Sequence, residues 1–237
     1  MTNLPVAIIS GASRGIGKAC AVGLAKLGYQ TCLIGREKET LKVVSDEIIE
    51  NNLSKPYIIA INLNDIHLIP GIIDDIFGKF GRIDVLVNNA GRSNNHSLDA
   101  GIDEFEAVLN LNLTAPFALL KAVVPLMKER QQGYIFNIAS RSGKIGFKGK
   151  GVYAASKFGL VGLTEVLYRE LASDGISVTS ICPGWVNTEL AFEGGTPLKA
   201  EEMIQPEDIM ETLQWLLRLS AKACVKEVVL ESFFSIH

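Results

Sequence analysis

The segment YAASK, residues 153–157, places a phenol and an ammonium group four positions apart. On one helix, residues at this spacing lie side by side, so Tyr153 and Lys157 would be neighbours. A nearby cation favours the phenolate, and we therefore expect Lys157 to lower the pKa of Tyr153 toward neutral pH. Such a pair could exchange a proton with a substrate oxygen. The alternative is an ordinary helix start, in which Tyr153 packs and Lys157 is solvated.

A second segment that could form part of a functional site is SGASRGIG. It follows the first apolar run and precedes a helical pattern. Free backbone N–H groups and the positive end of the helix dipole converge at such a turn, which makes it an anion site. Gly11, Gly15 and Gly17 would let a pyrophosphate approach the backbone. A tight turn without a ligand needs similar glycines. The place of the loop, after the first strand and before the first helix, favours a dinucleotide site.

The end of the second apolar run indicates which dinucleotide is preferred. An acidic side chain there would hold the ribose 2′-hydroxyl of NAD, but the residues present are Gly35 and Arg36. Guanidinium groups pair with phosphate oxygens, so Arg36 together with Arg14 predicts NADP(H) as the cofactor. The alternative is that both arginines are ordinary solvated surface residues.

Short apolar runs, most of them rich in β-branched residues, predict buried parallel strands. Helical patterns lie between them, for example over 16–27, 39–49 and 158–171, and this alternation predicts a doubly wound α/β fold with a parallel sheet. The stretch 112–130 contains Pro116 and Pro125, each of which should start or kink a helix, so we expect two helical pieces there. The predicted strands are 5–10, 30–35, 56–62, 83–88, 134–139, 176–182 and 226–231.

Composition argues against several other classes of protein. The formal net charge is −3, so no basic surface would attract nucleic acid or anionic lipid. The four cysteines stand far apart without metal-ligand spacing, and no metal site is expected. We find no secretory leader and no apolar run near the ~18 residues of a membrane span, which predicts a cytoplasmic protein without a membrane partner.

Several motifs occur in the order and approximate spacing of the short-chain dehydrogenase/reductases, which the chain resembles from about residue 5 to residue 190. The resemblance implies a single seven-stranded Rossmann-like domain over 1–237, with a cofactor half (about 1–140) and a catalytic and substrate part (about 140–237). It also implies a homotetramer or homodimer that uses NADP(H) to reduce a ketone or aldehyde. The motifs are SGASRGIG, NNAG (88–91), Asn112 in NLN, NIAS (137–140), YAASK and PGWVNT (183–188).

The catalytic tetrad of that family carries over to Asn112, Ser140, Tyr153 and Lys157. The resemblance assigns the serine to Ser140 because it closes the NIAS motif, with Ser142 as a pocket neighbour. It implies that Tyr153 transfers the proton, that Ser140 orients the substrate oxygen, that Lys157 also holds the nicotinamide ribose, and that Asn112 anchors a water chain.

The same resemblance implies the cofactor contacts. Thr188 could equally be a helix N-cap, and Asn62 stands where many members have an aspartate against the adenine, although its amide keeps one acceptor oxygen. Asn88 belongs to the same NNAG motif. The predicted cofactor-binding residues are Gly11, Ser13, Arg14, Gly15, Ile16, Gly17, Arg36, Asn62, Leu63, Asn89, Ala90, Gly91, Tyr153, Lys157, Pro183, Gly184, Val186 and Thr188.

Two alternative functions remain open at this stage. One is a 3-oxoacyl carrier-protein reductase, although Gln131 and Asp174 stand where those enzymes usually have arginines that dock the acidic carrier. The other is a non-catalytic NADP(H) sensor, which the complete tetrad disfavours. Trp185 and Phe147 are expected to wall an apolar pocket or to pack in the core. The histidines His67, His96 and His237 are not expected to be catalytic.

Overall fold

A computed structural model describes residues 4–220 and 222–235. Seven strands form one parallel sheet in the order β3-β2-β1-β4-β5-β6-β7, which confirms the predicted fold class. The strands are β1 (Val6–Ser10), β2 (Gln30–Gly35), β3 (Tyr57–Ala60), β4 (Val85–Asn88), β5 (Gly133–Ile138), β6 (Ile176–Pro183) and β7 (Glu227–Leu230). The α-helices are α1 (Gly15–Lys26), α2 (Lys38–Glu50), α3 (Ile69–Phe80), α4 (Ile102–Leu109), α5 (Ala115–Arg130), α6 (Gly151–Glu170), α7 (Glu189–Glu193) and α8 (Pro206–Leu217).

Alternate residues of the central strand β1 enter two different hydrophobic cores. Ala7 and Ile9 pack with α1, α2 and α8, whereas Val6 and Ile8 pack with α3 and α5 on the opposite face. All four side chains are fully buried. Because both faces of the sheet are covered, its strands read as continuous apolar runs rather than as alternating patterns.

The helix after Asn112 is continuous, so the expectation of two helical pieces was wrong. Residues 110–114 form a π-helical turn between α4 and α5, and α5 then contains Pro125 in its interior. Pro116 lies in the first turn, where its missing N–H is not needed. An internal proline costs about 3 kcal/mol, and the buried side chains of α5, such as Leu119 and Val123, offset this cost by packing in the second core.

The helical stretch Ile102–Arg130 is long and apolar enough to cross a membrane by length and composition alone. Core helices of soluble proteins pass the same test. Here the stretch supplies Leu119, Leu120 and Met127 to the core beneath the sheet.

The loops that build the site all leave the same edge of the sheet. Since every strand is parallel, the segments after β1, β4, β5 and β6 emerge at the carboxyl edge, where ligands of doubly wound sheets bind. The sheet order reverses at β1, which has β2 on one side and β4 on the other. The crevice at this switch point separates the loop after β1 from the loop after β4.

Candidate active site

Three of the four predicted catalytic residues line one cavity of roughly 330 Å³ at the carboxyl edge. Ser140 directly follows β5, and Tyr153 and Lys157 lie in the first two turns of α6. Asn112 lies in the π-helical turn and is fully buried. Its Oδ1 would be 3.3 Å from a Cβ added to Gly91, so the amide lies directly behind the cavity wall.

Tyr153 and Lys157 do not show the electrostatics expected from the sequence. Burial raises the pKa of Tyr153 to about 12, and a hydrogen bond with Ser140 only partly opposes this effect. The Lys157 Nζ atom lies 5.8 Å from the Tyr153 ring centroid and donates a hydrogen bond to the Ile138 carbonyl at 2.9 Å. Loss of hydration therefore decides the pKa of Tyr153, and the expectation of a lowered tyrosine pKa was wrong.

Lys157 itself is only 4% exposed, so it is not the solvated lysine of an ordinary helix start. Burial lowers its pKa to about 8. At neutral pH this residue is thus a protonated amine held in a dry site, and Tyr153 is a neutral acid beside it.

The amide of Asn112 holds the backbone of the segment that follows β4. Its Oδ1 accepts the Arg92 N–H at 2.9 Å, and its Nδ2 donates to the Arg92 carbonyl at 3.0 Å. The same Nδ2 contacts the Ser156 hydroxyl at 3.0 Å, and Ser156 donates to the Tyr153 carbonyl at 2.7 Å. Asn112 therefore links the loop after β4 to the first turn of α6.

The glycine loop has the geometry that an anion site requires. Gly11 and Gly15 have φ values of +64° and +52°, which favour glycine. A Cβ on Gly17 would lie 2.0 Å from the Gly11 carbonyl oxygen. The loop thus packs tightly over the N-terminus of α1, and the backbone can approach a pyrophosphate. These features fit a bound dinucleotide.

Ser10 and Asn89 join the two loops on either side of the crevice. The Ser10 Oγ accepts the N–H groups of Asn89 and Ala90, both at 3.0 Å. The Asn89 side chain donates to the carbonyls of Ser10 and Gly11 at 3.0 and 3.1 Å. The sequence analysis included Ser10 in the SGASRGIG motif and in the first strand but assigned no role to its side chain.

A second cavity of roughly 460 Å³ runs along the glycine loop and shares wall residues with the first. Gly17 packs beneath the loop. The predicted cofactor residues that line the second cavity are Gly11, Ser13, Arg14, Gly15, Ile16, Arg36, Asn62, Leu63, Asn89, Ala90, Gly91 and Thr188. Those that line the first are Ile16, Asn89, Gly91, Tyr153, Lys157, Pro183, Gly184, Val186 and Thr188.

The two arginines expected to bind a 2′-phosphate have different surroundings. The Arg14 guanidinium lies 3.5 Å from the Glu189 carboxylate and 3.6 Å from that of Glu193. Arg36 is exposed and, within residues 4–220 and 222–235, forms no ion pair. Arg36 is therefore the more available of the two. The Asn62 Oδ1 accepts the Asn64 N–H at 3.1 Å, so its acceptor oxygen already has one partner.

The short helix α7 covers part of the first cavity and is held by hydrogen bonds at both ends. Thr188 caps its N-terminus by accepting the Ala191 N–H at 3.4 Å, so Thr188 both caps the helix and lines the cavities. At the other end, Lys150 donates to the Gly194 carbonyl at 2.6 Å and to the Asn95 amide oxygen. Asn95 donates to the Glu193 carbonyl at 3.1 Å. The sequence analysis did not identify this role of Lys150.

The histidines lie outside this arrangement. The ring of His96 contacts Asp99 at 3.0 Å on the exposed surface. His67 lies in a 3₁₀ turn before α3, and His237 is outside the described residues. Phe147 and Trp185, in contrast, both line the first cavity.

Comparisons with known proteins point to one family. The family model for short chain dehydrogenases matches residues 5–196. A 3-oxoacyl-[acyl-carrier-protein] reductase from a Synechocystis species is 35% identical, over 93% of this chain and 92% of the relative.

Solved structures give the same picture. A betaketoacyl-[ACP] reductase from Bacteroides thetaiotaomicron has a TM-score of 0.88 and 43% identity, covering 99% of both chains. A metagenomic short-chain oxidoreductase in complex with NADP has a TM-score of 0.85 and 32% identity, covering 96% of both chains.

Replacing Lys157 with methionine should stabilise the folded protein at pH 7. The folded pKa of about 8 lies below the ordinary value of 10.5, so the cost of burying the cation is present below pH 8 and disappears as the pH rises to 10.5. The shift corresponds to about 3 kcal/mol, less about 1 kcal/mol for the lost hydrogen bond.

Urea unfolding of both proteins at pH 7 and at pH 10.5 measures this difference. Lys121→Met, which replaces an exposed lysine of α5, is the control. A Lys157→Met variant that is less stable than wild type at pH 7 would show that the buried amine imposes no such cost.

Replacing Lys150 with methionine should loosen the C-terminal end of α7, because the Gly194 carbonyl and Asn95 lose their charged partner. A lost hydrogen bond of about 1.5 kcal/mol would raise local opening roughly tenfold. Hydrogen exchange of residues 189–195 measures the effect, with Lys148→Met in the same loop as the control. Unchanged exchange in Lys150→Met would mean that other contacts hold α7.

Proposed function

This chain belongs to the short chain dehydrogenase family, and we propose that it reduces a ketone or aldehyde to an alcohol with NADP(H) and with Tyr153 as the general acid. The proposal rests above all on one observation: Ser140, Tyr153 and Lys157 meet in a cavity that shares its wall with the glycine-rich groove. NADPH, when bound, supplies the hydride that carbonyl reduction requires. The protein must supply the proton and hold the substrate oxygen.

Tyr153 is suited to give that proton. Because burial raises its pKa to about 12, the phenol is protonated at neutral pH, which is the form that reduction needs. A substrate oxygen that gains negative charge becomes a stronger base than the phenolate, so the proton moves from the Tyr153 hydroxyl to that oxygen. The phenolate that remains is close to the Lys157 ammonium, whose charge stabilises it.

Ser140 orients the same oxygen. Its Oγ already accepts the Ser142 N–H at 3.0 Å, which fixes the side chain at the start of a 3₁₀ turn. The hydroxyl proton can then be donated to the substrate oxygen as charge develops there. Ser142 contributes through its backbone, in keeping with its assignment as a neighbour rather than a member of the tetrad.

Lys157 and Asn112 act on either side of this pair. Lys157 donates one hydrogen bond to the Ile138 carbonyl and has further N–H donors for ribose hydroxyls. Asn112 keeps Arg92 and Ser156 in place through its side-chain amide. The side-chain amide of Asn112 is already hydrogen-bonded. We therefore propose that its backbone carbonyl anchors the chain of waters that returns a proton to the site.

The cofactor preference follows from Arg36. Its guanidinium lies at the end of β2, beside the groove and without an acidic partner in the described part of the chain. A 2′-phosphate there would form charge-assisted hydrogen bonds with it. Arg14 would have to share its charge with Glu189 and Glu193, so we assign it the smaller contribution.

A 3-oxoacyl carrier-protein reductase is the second candidate, favoured by the names of the relatives. The surface expected to dock an acidic carrier supports this candidate less well, because Gln131 and Asp174 stand where arginines are expected. Asp174 forms an ion pair with Lys128 at 2.9 Å, and Gln131 ends α5 in a left-handed conformation. A non-catalytic NADP(H) sensor is disfavoured because Ser140, Tyr153 and Lys157 line the cavity together.

We further propose a homodimer or homotetramer in the cytoplasm, with one domain whose cofactor half ends near residue 140. The edge strand β7 and the segment after it support self-association, since Val229, Phe233 and Phe234 are strongly exposed. No contact with nucleic acid or membrane is part of the proposal.

Replacing Tyr153 with phenylalanine should lower kcat for the best carbonyl substrate by at least about 10²-fold, because the acid is removed. NADPH affinity should change less than about twofold, since a neutral hydroxyl contributes little to cofactor binding. NADPH oxidation at 340 nm and a fluorescence titration measure the two quantities. Tyr168→Phe, on the same helix but outside the cavity, is the control. Full activity in Tyr153→Phe would contradict the mechanism.

Replacing Arg36 with alanine should raise the NADPH dissociation constant about 10- to 100-fold, the loss expected for hydrogen bonds to a charged group. The NADH constant should stay nearly unchanged because NADH lacks the 2′-phosphate. Parallel titrations with both nucleotides test this, with Arg218→Ala at the far end of α8 as the control. Equal losses for NADPH and NADH would mean that Arg36 does not select the phosphate.

A further inference from the structure

The charged residues that line the first cavity are all basic. The chain as a whole has 26 acidic and 23 basic residues, so this local bias does not follow from composition. Within the described residues, no aspartate or glutamate lines this cavity. The basic lining residues are Arg92, Arg141, Lys148, Lys150 and Lys157.

Three of these five cations already have partners within the protein. Lys157 donates to the Ile138 carbonyl, and Lys150 holds the Gly194 carbonyl beneath α7. Arg141 forms an ion pair with Glu231, donates to the Ser235 carbonyl at 3.1 Å and stacks over Phe147 at 4.7 Å. Their charges are therefore used in catalysis or in holding the walls of the cavity.

Arg92 and Lys148 differ from the other three. Both side chains are exposed, and neither has an acidic partner within 4 Å among residues 4–220 and 222–235. The backbone of Arg92 is nevertheless fixed, because the Asn112 amide binds both its N–H and its carbonyl. A guanidinium group is thus held beside the catalytic residues by its main chain while its own donors remain available.

We propose that the substrate carries an anionic group, a carboxylate or a phosphate, apart from the reacting carbonyl, and that Arg92 and Lys148 bind this group. The inference rests on the proposed function, because it names the class of substrate for the same cavity. Guanidinium and ammonium donors form charge-assisted hydrogen bonds with such oxygens. Trp185 and Phe147 provide apolar walls for the remainder of the molecule.

The main competing explanation is that these cations serve the cofactor phosphates. Arg92 does line the glycine-rich groove as well as the first cavity. Lys148 lines only the first cavity, where the substrate would lie. Two cations that line the same cavity from separate loops favour an anion on the substrate. The two explanations also predict different effects on NADPH affinity.

The test uses two matched pairs of carbonyl compounds. The first pair is 3-oxobutanoate and its ethyl ester, which differ by one carboxylate near the reacting carbonyl. The second is the 3-oxobutanoyl thioesters of 4′-phosphopantetheine and of pantetheine, which differ by one remote phosphate. Values of kcat/KM are measured at low and high salt for wild type, Arg92→Gln, Lys148→Gln and the double variant. Lys199→Gln, which removes an exposed lysine outside the cavity lining, is the control.

The anionic member of at least one pair should have a kcat/KM about tenfold or more above that of its neutral partner, as charge-assisted hydrogen bonds predict. The double variant should bring this ratio close to one by lowering kcat/KM for the anionic compound. High salt should reduce the ratio in wild type. The pair that shows the effect identifies the carboxylate or the phosphate as the source of the charge.

A ratio near one in wild type, or a ratio that the double variant leaves intact, would overturn the inference while NADPH-dependent turnover stands. An NADPH dissociation constant raised in Arg92→Gln, with both members of each pair affected equally, would overturn it in favour of the cofactor phosphates. The Lys199→Gln control should keep the wild-type ratio.

A binding measurement separates this inference from the proposed function. The same compounds are titrated calorimetrically into Tyr153→Phe saturated with NADP⁺, where turnover is not needed. Tighter binding of the anionic member that is lost on adding Arg92→Gln and Lys148→Gln would support the inference even if wild type turned over none of the compounds. Equal binding of charged and neutral members would overturn it.

Discussion

The burial of one ammonium group, that of Lys157, sets the conditions under which the rest of the site works. The side chain is 4% exposed, and within residues 4–220 and 222–235 it donates one hydrogen bond, to a backbone carbonyl, so water is largely removed from around it. The same loss of water lowers the pKa of Lys157 and raises that of Tyr153. A site wet enough to hold Lys157 without cost would leave the pKa of Tyr153 near its ordinary value of 10.0 and would admit water to a reacting carbonyl.

Neutral amides position the segments that follow β1 and β4 and tie β4 and β5 to α6, next to this buried cation. Asn88 donates to Asn137 at 2.8 Å, and Asn137 donates to Thr164 at 2.8 Å, so one line of side chains runs from β4 through β5 to α6. Asn89 and Asn112 bind backbone groups of the adjoining loops in a similar way. Amides suit this role because they satisfy buried donors and acceptors without a net charge that would shift the pKa values of the catalytic groups.

Much of the fold could be predicted because its signals are local. The central strands β1, β2 and β4 are short and fully buried, so each appears as an apolar run. The glycine loop is constrained by its own backbone conformation. The catalytic spacing of Tyr153 and Lys157 is likewise contained within one helix. The resemblance to a known family then supplied Asn112, which contacts α6 through Ser156, and Ser140, which lines the cavity with Tyr153. No local pattern shows that either residue approaches α6.

The features that were missed depend on contacts between distant parts of the chain. Pro125 does not divide its helix, because packing in the second core outweighs the local preference. Lys150 and Gly194 are separated by 44 residues, and Ser10 meets Asn89 across 79, so neither pairing has a sequence signature. The pKa of Tyr153 was wrongly anticipated for a related reason: spacing predicts that a cation is near but not how much water surrounds the pair.

The short helix α7, which forms a lid over part of the first cavity, illustrates how such distant contacts shape function. Five residues are too few to form a stable helix by themselves, and within α7 only Ala191 is buried. Its position must therefore come from its neighbours: Arg14 of the glycine loop pairs with Glu189 and Glu193, while Lys150, just before α6, holds the opposite end. Because one set of contacts comes from the cofactor groove and the other from the start of the catalytic helix, the lid cannot move without disturbing both. A short, weakly packed helix fixed in this way gives the groove and the cavity a common wall.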